Sequence, residues 1–201
     1  MGITELLAIA ASVSLLSGWR LYLTICATGL AMYFDIVPLP ENLAMLEALG
    51  NPWVIGISAT GALAEFFADK VMWLDSLWDG LHMIIRPLGG AMLALAVVDS
   101  GDPVWQVIVF LLGGGAAFAS HSAKASARAV VNASPEPVSN VVISTGEDVV
   151  AGGLLFLIFA NPVAAALVAL LLLALCFFLL QAAYRMWGKL FGKSKVKYKD
   201  H

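Results

Sequence analysis

Residues 6–34 read LLAIAASVSLLSGWRLYLTICATGLAMYF, an apolar run in which Arg20 is the only charged residue. A helix needs about 20 apolar residues to cross the hydrocarbon core of a bilayer, so this run is long enough to span one. A cleaved signal peptide is a poor explanation, because Glu5 stands where a basic segment belongs and the run is far too long. The stretch therefore predicts a first membrane-spanning helix.

The chain as a whole has the composition of an integral membrane protein. Its 201 residues are 61% hydrophobic and only 12% charged, and its mean hydropathy is +0.90. Soluble domains carry roughly 25% charged residues, and a soluble fold of this size could not bury so much apolar surface. Cys26 and Cys176 lie in apolar stretches without a second thiol nearby, so we interpret them as packing residues.

Further apolar stretches of similar length follow the first. We predict an all-α, polytopic transmembrane bundle of about six spans, forming one domain over residues 1–187, with a polybasic tail over residues 188–201. The second and fifth stretches are weaker than the others because each carries two carboxylates. The predicted spans are residues 6–34, 52–69, 81–98, 103–120, 141–160 and 162–187.

Basic residues are segregated along the chain. If the N-terminus is cytoplasmic, the outer loops are residues 35–51, 99–102 and 161, and none of them contains Lys or Arg. Because cytoplasmic loops retain basic residues, this distribution predicts six crossings with both termini in the cytoplasm. The lysines between Lys189 and Lys199 would attract anionic lipid headgroups.

The second to fifth predicted spans are compatible with a duplicated helical hairpin. Residues 61–70 and 115–124 both begin with Gly-Ala and end with Lys, and a Gly pair in an apolar span follows each. Such matches are weak evidence, since small residues are common in membrane helices. The interface between two repeats is a common place for a transport site.

Ionisable side chains are concentrated in the inner halves of the predicted spans. Such groups are costly at membrane depth, so they usually face a protein interior or a wet cavity. Spacings of three or four residues place the members of each set on one helix face. The sets are Glu65 and Asp69; Asp75, Asp79, His82 and Arg86; and His121, Lys124, Arg128 and Asn132, while Glu147 and Asp148 lie early in the fifth span.

The segment SPEPVSN, residues 134–140, follows the basic set. Its two prolines remove backbone donors and favour extended geometry in the residues before them, so the helix cannot continue through it. Ser134, Glu136 and Asn140 therefore lie beside the basic set at the entrance to the fifth span.

Two interpretations of these charges remain open. In the first, the acidic and basic sets neutralise one another as a structural network, and Arg20 is a deep partner for Glu65 or Glu147. In the second, the six carboxylates bind a hard cation or relay protons, and the basic set binds a phosphate or carboxylate such as a lipid headgroup. The number of charges favours a site, because ionic pairs contribute little net stability to helix association.

Four polar segments resemble a family of small bacterial multi-pass membrane proteins catalogued as a domain of unknown function. The segments are EFFADK at 65–70, WLDSLWD at 73–79, HSAKASAR at 121–128 and NASPEPVSN at 132–140. The likeness covers roughly residues 1–185, and Ser-Pro-Glu-Pro-x-Ser-Asn is its most specific element. It implies a protein of the bacterial inner membrane with these segments as family signatures, and it implies no substrate.

The sequence favours a small transporter or channel with a cytoplasm-facing charged site for an ion or small charged solute. The alternatives are a structural or regulatory protein that docks a partner, and an enzyme acting on a lipid phosphate with Asp79 or His82 as general base. No H-E-x-x-H, G-x-S-x-G or P-loop signature supports an enzyme. We expect no cofactor, apart from a divalent cation that could bind the carboxylates, and no nucleic-acid partner. The sequence is also compatible with a homo-oligomer.

Overall fold

The computed structural model describes residues 3–36, 44–98, 101–132 and 137–191, and over these ranges the chain forms helices and their connections without a strand. The prediction of an all-α membrane bundle is confirmed. The helices are α1 (Ile3–Tyr33), α2 (Ala44–Leu49), α3 (Pro52–Ala68), α4 (Met72–Val97), α5 (Pro103–Asn132), α6 (Pro137–Ala160) and α7 (Pro162–Phe191).

Three helices begin at the same local motif, an Asn or Asp followed by Pro. Proline suits the first helical position because its missing N–H would have no partner there and its φ is already helical. The side chain before it accepts a hydrogen bond from the first turn and caps the helix. The capping pairs are Asn51 with Trp53 N in α3, Asp102 with Val104 N in α5, and Asn161 with Ala164 N in α7.

Six apolar helices overlap the six predicted segments, although α4 begins before its segment and α5 continues beyond its own. Large apolar side chains on the outside of the bundle, such as Trp53, Leu111 and Phe156, are exposed, as suits contact with lipid tails. The chain is therefore a multi-pass membrane protein. Four helical segments are long and apolar enough to cross a membrane, namely Thr4–Tyr33, Met72–Val97, Pro103–Ala129 and Val138–Ala160, and the shorter apolar helices are Pro52–Ala68 and Pro162–Leu175.

Helix α1 folds back on itself at Arg20. The backbone angles of this residue, φ −141° and ψ 75°, are not helical and divide α1 into two halves. Val13 from the first half belongs to an apolar cluster, and Ile25 and Met32 from the second half pack against the same cluster. In a straight helix Met32 would lie roughly 30 Å along the axis from Val13. The two halves must therefore approach each other.

The same cluster marks one end of the bundle, named here the apolar end. It joins the start of α1 to the ends of α4 and α6 and to the start of α7, through residues such as Ile9, Val97, Ile158 and Ala165. Leu49 also packs against it, so α3 starts at this end as well.

The opposite end, named here the polar end, gathers the ends of α3 and α5 with the starts of α4 and α6. Arg128 Nη2 donates to the Asp69 carbonyl at 2.5 Å, and Asn140 Nδ2 donates to the same carbonyl at 3.2 Å. Arg128 also forms an ion pair with Asp75. Helices α3 to α7 therefore run between the two ends, in alternating directions, and each of the hairpins α3–α4 and α5–α6 goes from the apolar end to the polar end and back. This arrangement is compatible with the predicted duplication.

This packing bears on the predicted position of the N-terminus. Six full crossings would put the start of α1 and the end of α4 on opposite sides of the membrane, but both lie at the apolar end. Because α7 runs from that end to the other, the packing predicts that the start of α1 and the end of α7 lie on opposite sides, in place of the expectation that both termini are cytoplasmic. The physical reason is that Arg20 is too costly for lipid and is held by carboxylates inside the bundle. Most of the predicted tail, residues 192–201, lies outside the described residues.

Single-cysteine labelling tests this topology in a background with Cys26→Ala and Cys176→Ala. We expect Glu5→Cys and Asp102→Cys to react with a membrane-impermeant thiol reagent from the same side of the membrane, because both positions lie at the apolar end. Lys189→Cys should react from the other side and serves as the matched control. Labelling of Glu5→Cys together with Lys189→Cys would show that α1 crosses the membrane.

Candidate functional site

The tip of the folded-back α1 lies in the middle of the charged residues. Two backbone carbonyls just before the break accept hydrogen bonds from cations: Arg86 Nη1 is 3.2 Å from Gly18 O, and Lys124 Nζ is 3.4 Å from Trp19 O. The carbonyl end of a helix carries partial negative charge, so cations are favourable there. Cations from α4 and α5 thus hold the first half of α1 in place.

Arg20 itself joins α3 to α6. Its Nη1 is 2.6 Å from Asp69 Oδ2, and its Nη2 forms an ion pair with Asp148. Each carboxylate has a second cation, since Lys124 Nζ is 3.0 Å from Asp69 Oδ2 and Lys70 Nζ is 2.6 Å from Asp148 Oδ2. Arg20 and Asp69 are both buried. We name these residues the Arg20 group.

Arg86 is the centre of a second group beside the α1 tip. Its Nη2 donates to Glu65 Oε1 at 2.7 Å, and its Nη1 lies 3.1 Å from Asp79 Oδ1 and 2.7 Å from His121 Nδ1. Glu65, Arg86 and His121 have 0% exposure. We name Glu65, Asp79 and Arg86 the Arg86 group.

Arg128 and Asp75 form a separate pair at the polar end. The guanidinium and the carboxylate meet through two contacts, Nε to Oδ2 and Nη2 to Oδ1, both 3.1 Å. This fork geometry is the strongest arrangement for such a pair. Arg128 Nη1 also donates to the Asn140 carbonyl at 3.3 Å, which ties α5 to the start of α6.

Neighbouring groups constrain both buried histidines, and they make His121 a neutral imidazole. His121 Nδ1 receives the Arg86 N–H, so its proton is on Nε2, which lies 3.1 Å from the Asp79 carbonyl. His82 Nδ1 lies 2.8 Å from the Trp78 carbonyl and must carry a proton, and its Nε2 lies 3.1 Å from the Tyr22 hydroxyl, a group that can donate or accept a hydrogen bond. With both ring nitrogens occupied, His82 is poorly placed as a general base.

Several charged atoms in the network lack a hydrogen-bond partner among the described residues. They include one oxygen on each of the buried Glu65 and Asp69 side chains, Oε2 and Oδ1, and the Nε atoms of Arg20 and Arg86. Glu147 is paired only weakly, with Oε2 3.9 Å from Lys124 Nζ. Buried polar atoms are nearly always paired in native proteins. These atoms are therefore the positions in the network that could form a hydrogen bond or ion pair with a ligand.

Residues 7–182 match a family described as "Domain of unknown function (DUF4126)". The chain belongs to this family. No curated protein and no solved structure matches the chain. The match confirms the resemblance drawn from the four polar segments, and it covers every charge of the DUF4126 network from Arg20 to Asp148.

The structure brings together all of the main predicted site residues of this DUF4126 chain. Asn140 joins them through Asp69, whereas the side chain of Asn132 is not described, and Ser134 and Glu136 lie outside the described residues. The predicted partners of Arg20, Glu65 or Glu147, are wrong, since its ion pairs are with Asp69 and Asp148. The residues brought together are Glu65, Asp69, Asp75, Asp79, His82, Arg86, His121, Lys124, Arg128, Glu147 and Asp148.

Two contributing residues were absent from the predicted site. Lys70 pairs with Asp148, and its position next to Asp69 was a usable signal. Tyr22 contacts His82, but its place in an apolar run gives no such indication.

A cavity of about 160 Å³ lies between α4 and α5 at the polar end. Its lining includes Asp75, Asp79, Ala125 and Arg128. Within the described ranges, no three His, Cys, Asp or Glu side chains are arranged to hold a metal ion. The cavity therefore offers carboxylates and a guanidinium on its wall.

Close helix packing positions the α1 tip against α5. A Cβ atom on Gly18 would meet the backbone of α5, at Ala117 O and at His121 N 2.9 Å away. Backbone atoms cannot move aside as a flexible side chain could, so this position requires glycine.

We expect Gly18→Ala to destabilise the protein by about 1–3 kcal/mol, the usual cost of overpacking a close contact. Gly115→Ala on α5 is the matched control, because nothing lies within 4 Å of its added Cβ, and alanine favours a helix. Thermal unfolding of both variants in detergent checks the prediction. Equal melting temperatures for the two variants would contradict the close approach of α1 and α5.

Proposed function

We propose that this chain is a small membrane transporter that moves an ion or small charged solute past the tip of α1. The observation that carries the proposal is the re-entrant helix, whose break at Arg20 lies inside a buried ionic network. Irregular backbone at membrane depth is tolerated only where it is buried in protein or lines a wet path. Transporters build their ion and substrate sites from interrupted helices of this kind.

The ion pairs around the tip have exchangeable partners. Asp69 is shared by Arg20 and Lys124, and Asp148 is shared by Arg20 and Lys70. A charged ligand that displaces one partner leaves the other in place, so opening the network avoids the about 3–5 kcal/mol that an uncompensated buried charge costs. This sharing supports reversible binding at the tip.

The basic residues support one orientation in a bacterial inner membrane. Residues 1–19 and the segments 35–51 and 98–102 contain neither Lys nor Arg. Ile9, Leu49 and Val98, from the described parts of these segments, belong to the apolar end or pack against it. The positive-inside rule then places the apolar end outside and the polar end in the cytoplasm. In this orientation α7 ends on the cytoplasmic side, where the anionic headgroups of the inner leaflet would attract the lysines of the tail.

Reconstitution into liposomes tests transport. We expect the protein to give flux of protons, monovalent cations or small organic anions, and Asp148→Asn to lower that flux roughly tenfold or more, because an ionic hydrogen bond is worth about 1.5–3 kcal/mol. Asp148 is suited to this test because it contacts both Arg20 and Lys70 near the partly exposed edge of the network.

Asp102→Asn is the matched control, since it removes a carboxylate at the apolar end while Asn still caps α5. Its flux should equal that of the unaltered protein. If no solute of these three classes shows flux that depends on the protein, the transporter proposal is wrong.

A structural or regulatory protein that docks a partner is the second candidate. The observation in its favour is that most charges of the network have a partner of opposite charge at 2.6–3.1 Å. In this case neutral substitutions of the network charges would leave solute transport by the cells unchanged. The protein would also be recovered from native membranes with a stoichiometric partner. A transporter should instead purify alone or as a homo-oligomer.

A further inference from the structure

The charges of the network are unevenly distributed among its groups. In the Arg20 group, the cations Arg20, Lys70 and Lys124 face Asp69 and Asp148, with Glu147 close to Lys124. These charges balance if all are ionised. The Arg128–Asp75 pair balances as well.

The Arg86 group does not balance. Among the described residues, Arg86 is the only cation in ion-pair contact with its two carboxylates, Glu65 and Asp79. His121 cannot supply a second positive charge, because its Nδ1 accepts the Arg86 N–H and would have to become a donor. The described residues therefore leave one negative charge uncompensated at a buried position, which is strongly unfavourable.

Glu65 is the member of the group with a free acceptor. Its side chain is fully buried, Oε1 accepts from Arg86, and Oε2 has no partner among the described residues. Asp79 is more accessible and lines the cavity between α4 and α5. Glu65 is absent from the linings of the described cavities, and a proton needs no cavity volume to bind, whereas a hydrated metal ion does.

We propose that the Arg86 group binds one exchangeable proton on Glu65, and that this proton enters from the cytoplasm through the cavity lined by Asp75 and Asp79. The inference rests on the proposed transport function, for which it names the proton as the ion. Protonation converts the Glu65 carboxylate to a neutral carboxyl and restores the charge balance around Arg86. Loss of the proton to Asp79 and the cavity reverses the step.

The ionisable groups around Glu65 come from α1, α3, α4, α5 and α6, and they face it directly or through a neighbouring side chain. They are Arg20 and Tyr22 from α1, Asp69 beside it at the end of α3, Asp79, His82 and Arg86 from α4, His121 and Lys124 from α5, and Glu147 from α6.

Infrared spectroscopy of the purified protein in lipid nanodiscs tests the proton directly. We expect the carbonyl band of a protonated carboxyl at neutral pH, its disappearance in Glu65→Gln, and its retention with a shifted frequency in Glu65→Asp. Glu147→Gln is the matched control and should retain the band. Absence of the band in the unaltered protein, or its loss in Glu147→Gln with retention in Glu65→Gln, would overturn the proposal.

Sodium and potassium are tested on the same samples. Replacing choline chloride by sodium or potassium chloride should leave the melting temperature unchanged, and stabilisation by either ion that Glu65→Gln abolishes would assign the site to a metal cation instead. The infrared result is independent of flux. A Glu65 band without flux refutes only the transporter, and flux of another ion without the band refutes only the proton.

The entry route has its own test. Ala125 lines the cavity between α4 and α5, and the adjacent Ser126 lines a different groove facing α7. We expect Ala125→Trp to slow the hydrogen–deuterium exchange of the carboxyl band severalfold, and Ser126→Trp to leave it unchanged. Equal exchange rates in the two variants would rule out this route.

Discussion

The pairing of Arg20 with Asp69 and Asp148 is the interaction on which the arrangement of the bundle depends. A guanidinium in the middle of an apolar run is costly in lipid, and it is stable here because carboxylates from α3 and α6 reach it inside the protein. These contacts hold the α1 tip inside the bundle, and the apolar residues on both halves of α1 then pack at one end. One buried charge thus determines the direction of the chain on both sides of it.

Local periodicity made the composition of the site predictable from the sequence. Spacings of three and four residues place Asp75, Asp79 and Arg86 on one helix face wherever α4 lies, and the energetic cost of charge in lipid turns that face inward. The same reasoning applies to His121, Lys124 and Arg128 on α5. Which residues belong to the ionic network could therefore be predicted without tertiary information.

The fold-back of α1 and the choice of ionic partners could not be predicted in this way. Arg20 has no adjacent proline that would indicate a break, and hydropathy is the same for a run that crosses and for one that returns. The positive-inside rule does not distinguish a crossing α1 from a returning one either, because residues 1–19 contain no Lys or Arg and fit either side of the membrane. Partner choice depends on how far α3 and α6 are displaced along the bundle, so Arg20 meets Asp69 and Asp148 instead of their neighbours Glu65 and Glu147.

A network that served only to hold helices together would be expected to balance its charges and pair its atoms. The Arg20 group and the Arg128–Asp75 pair approach this condition, and they account for the anchoring of the α1 tip and of the polar end. The Arg86 group departs from it, with an excess carboxylate and an unpaired oxygen on the fully buried Glu65. A buried ionic network is weak evidence for a purely stabilising role, because well-packed apolar side chains are often as stable. Among the described residues the imbalance is confined to the one group that reaches from the α1 tip to the α4–α5 cavity, which is where we propose that the ion binds.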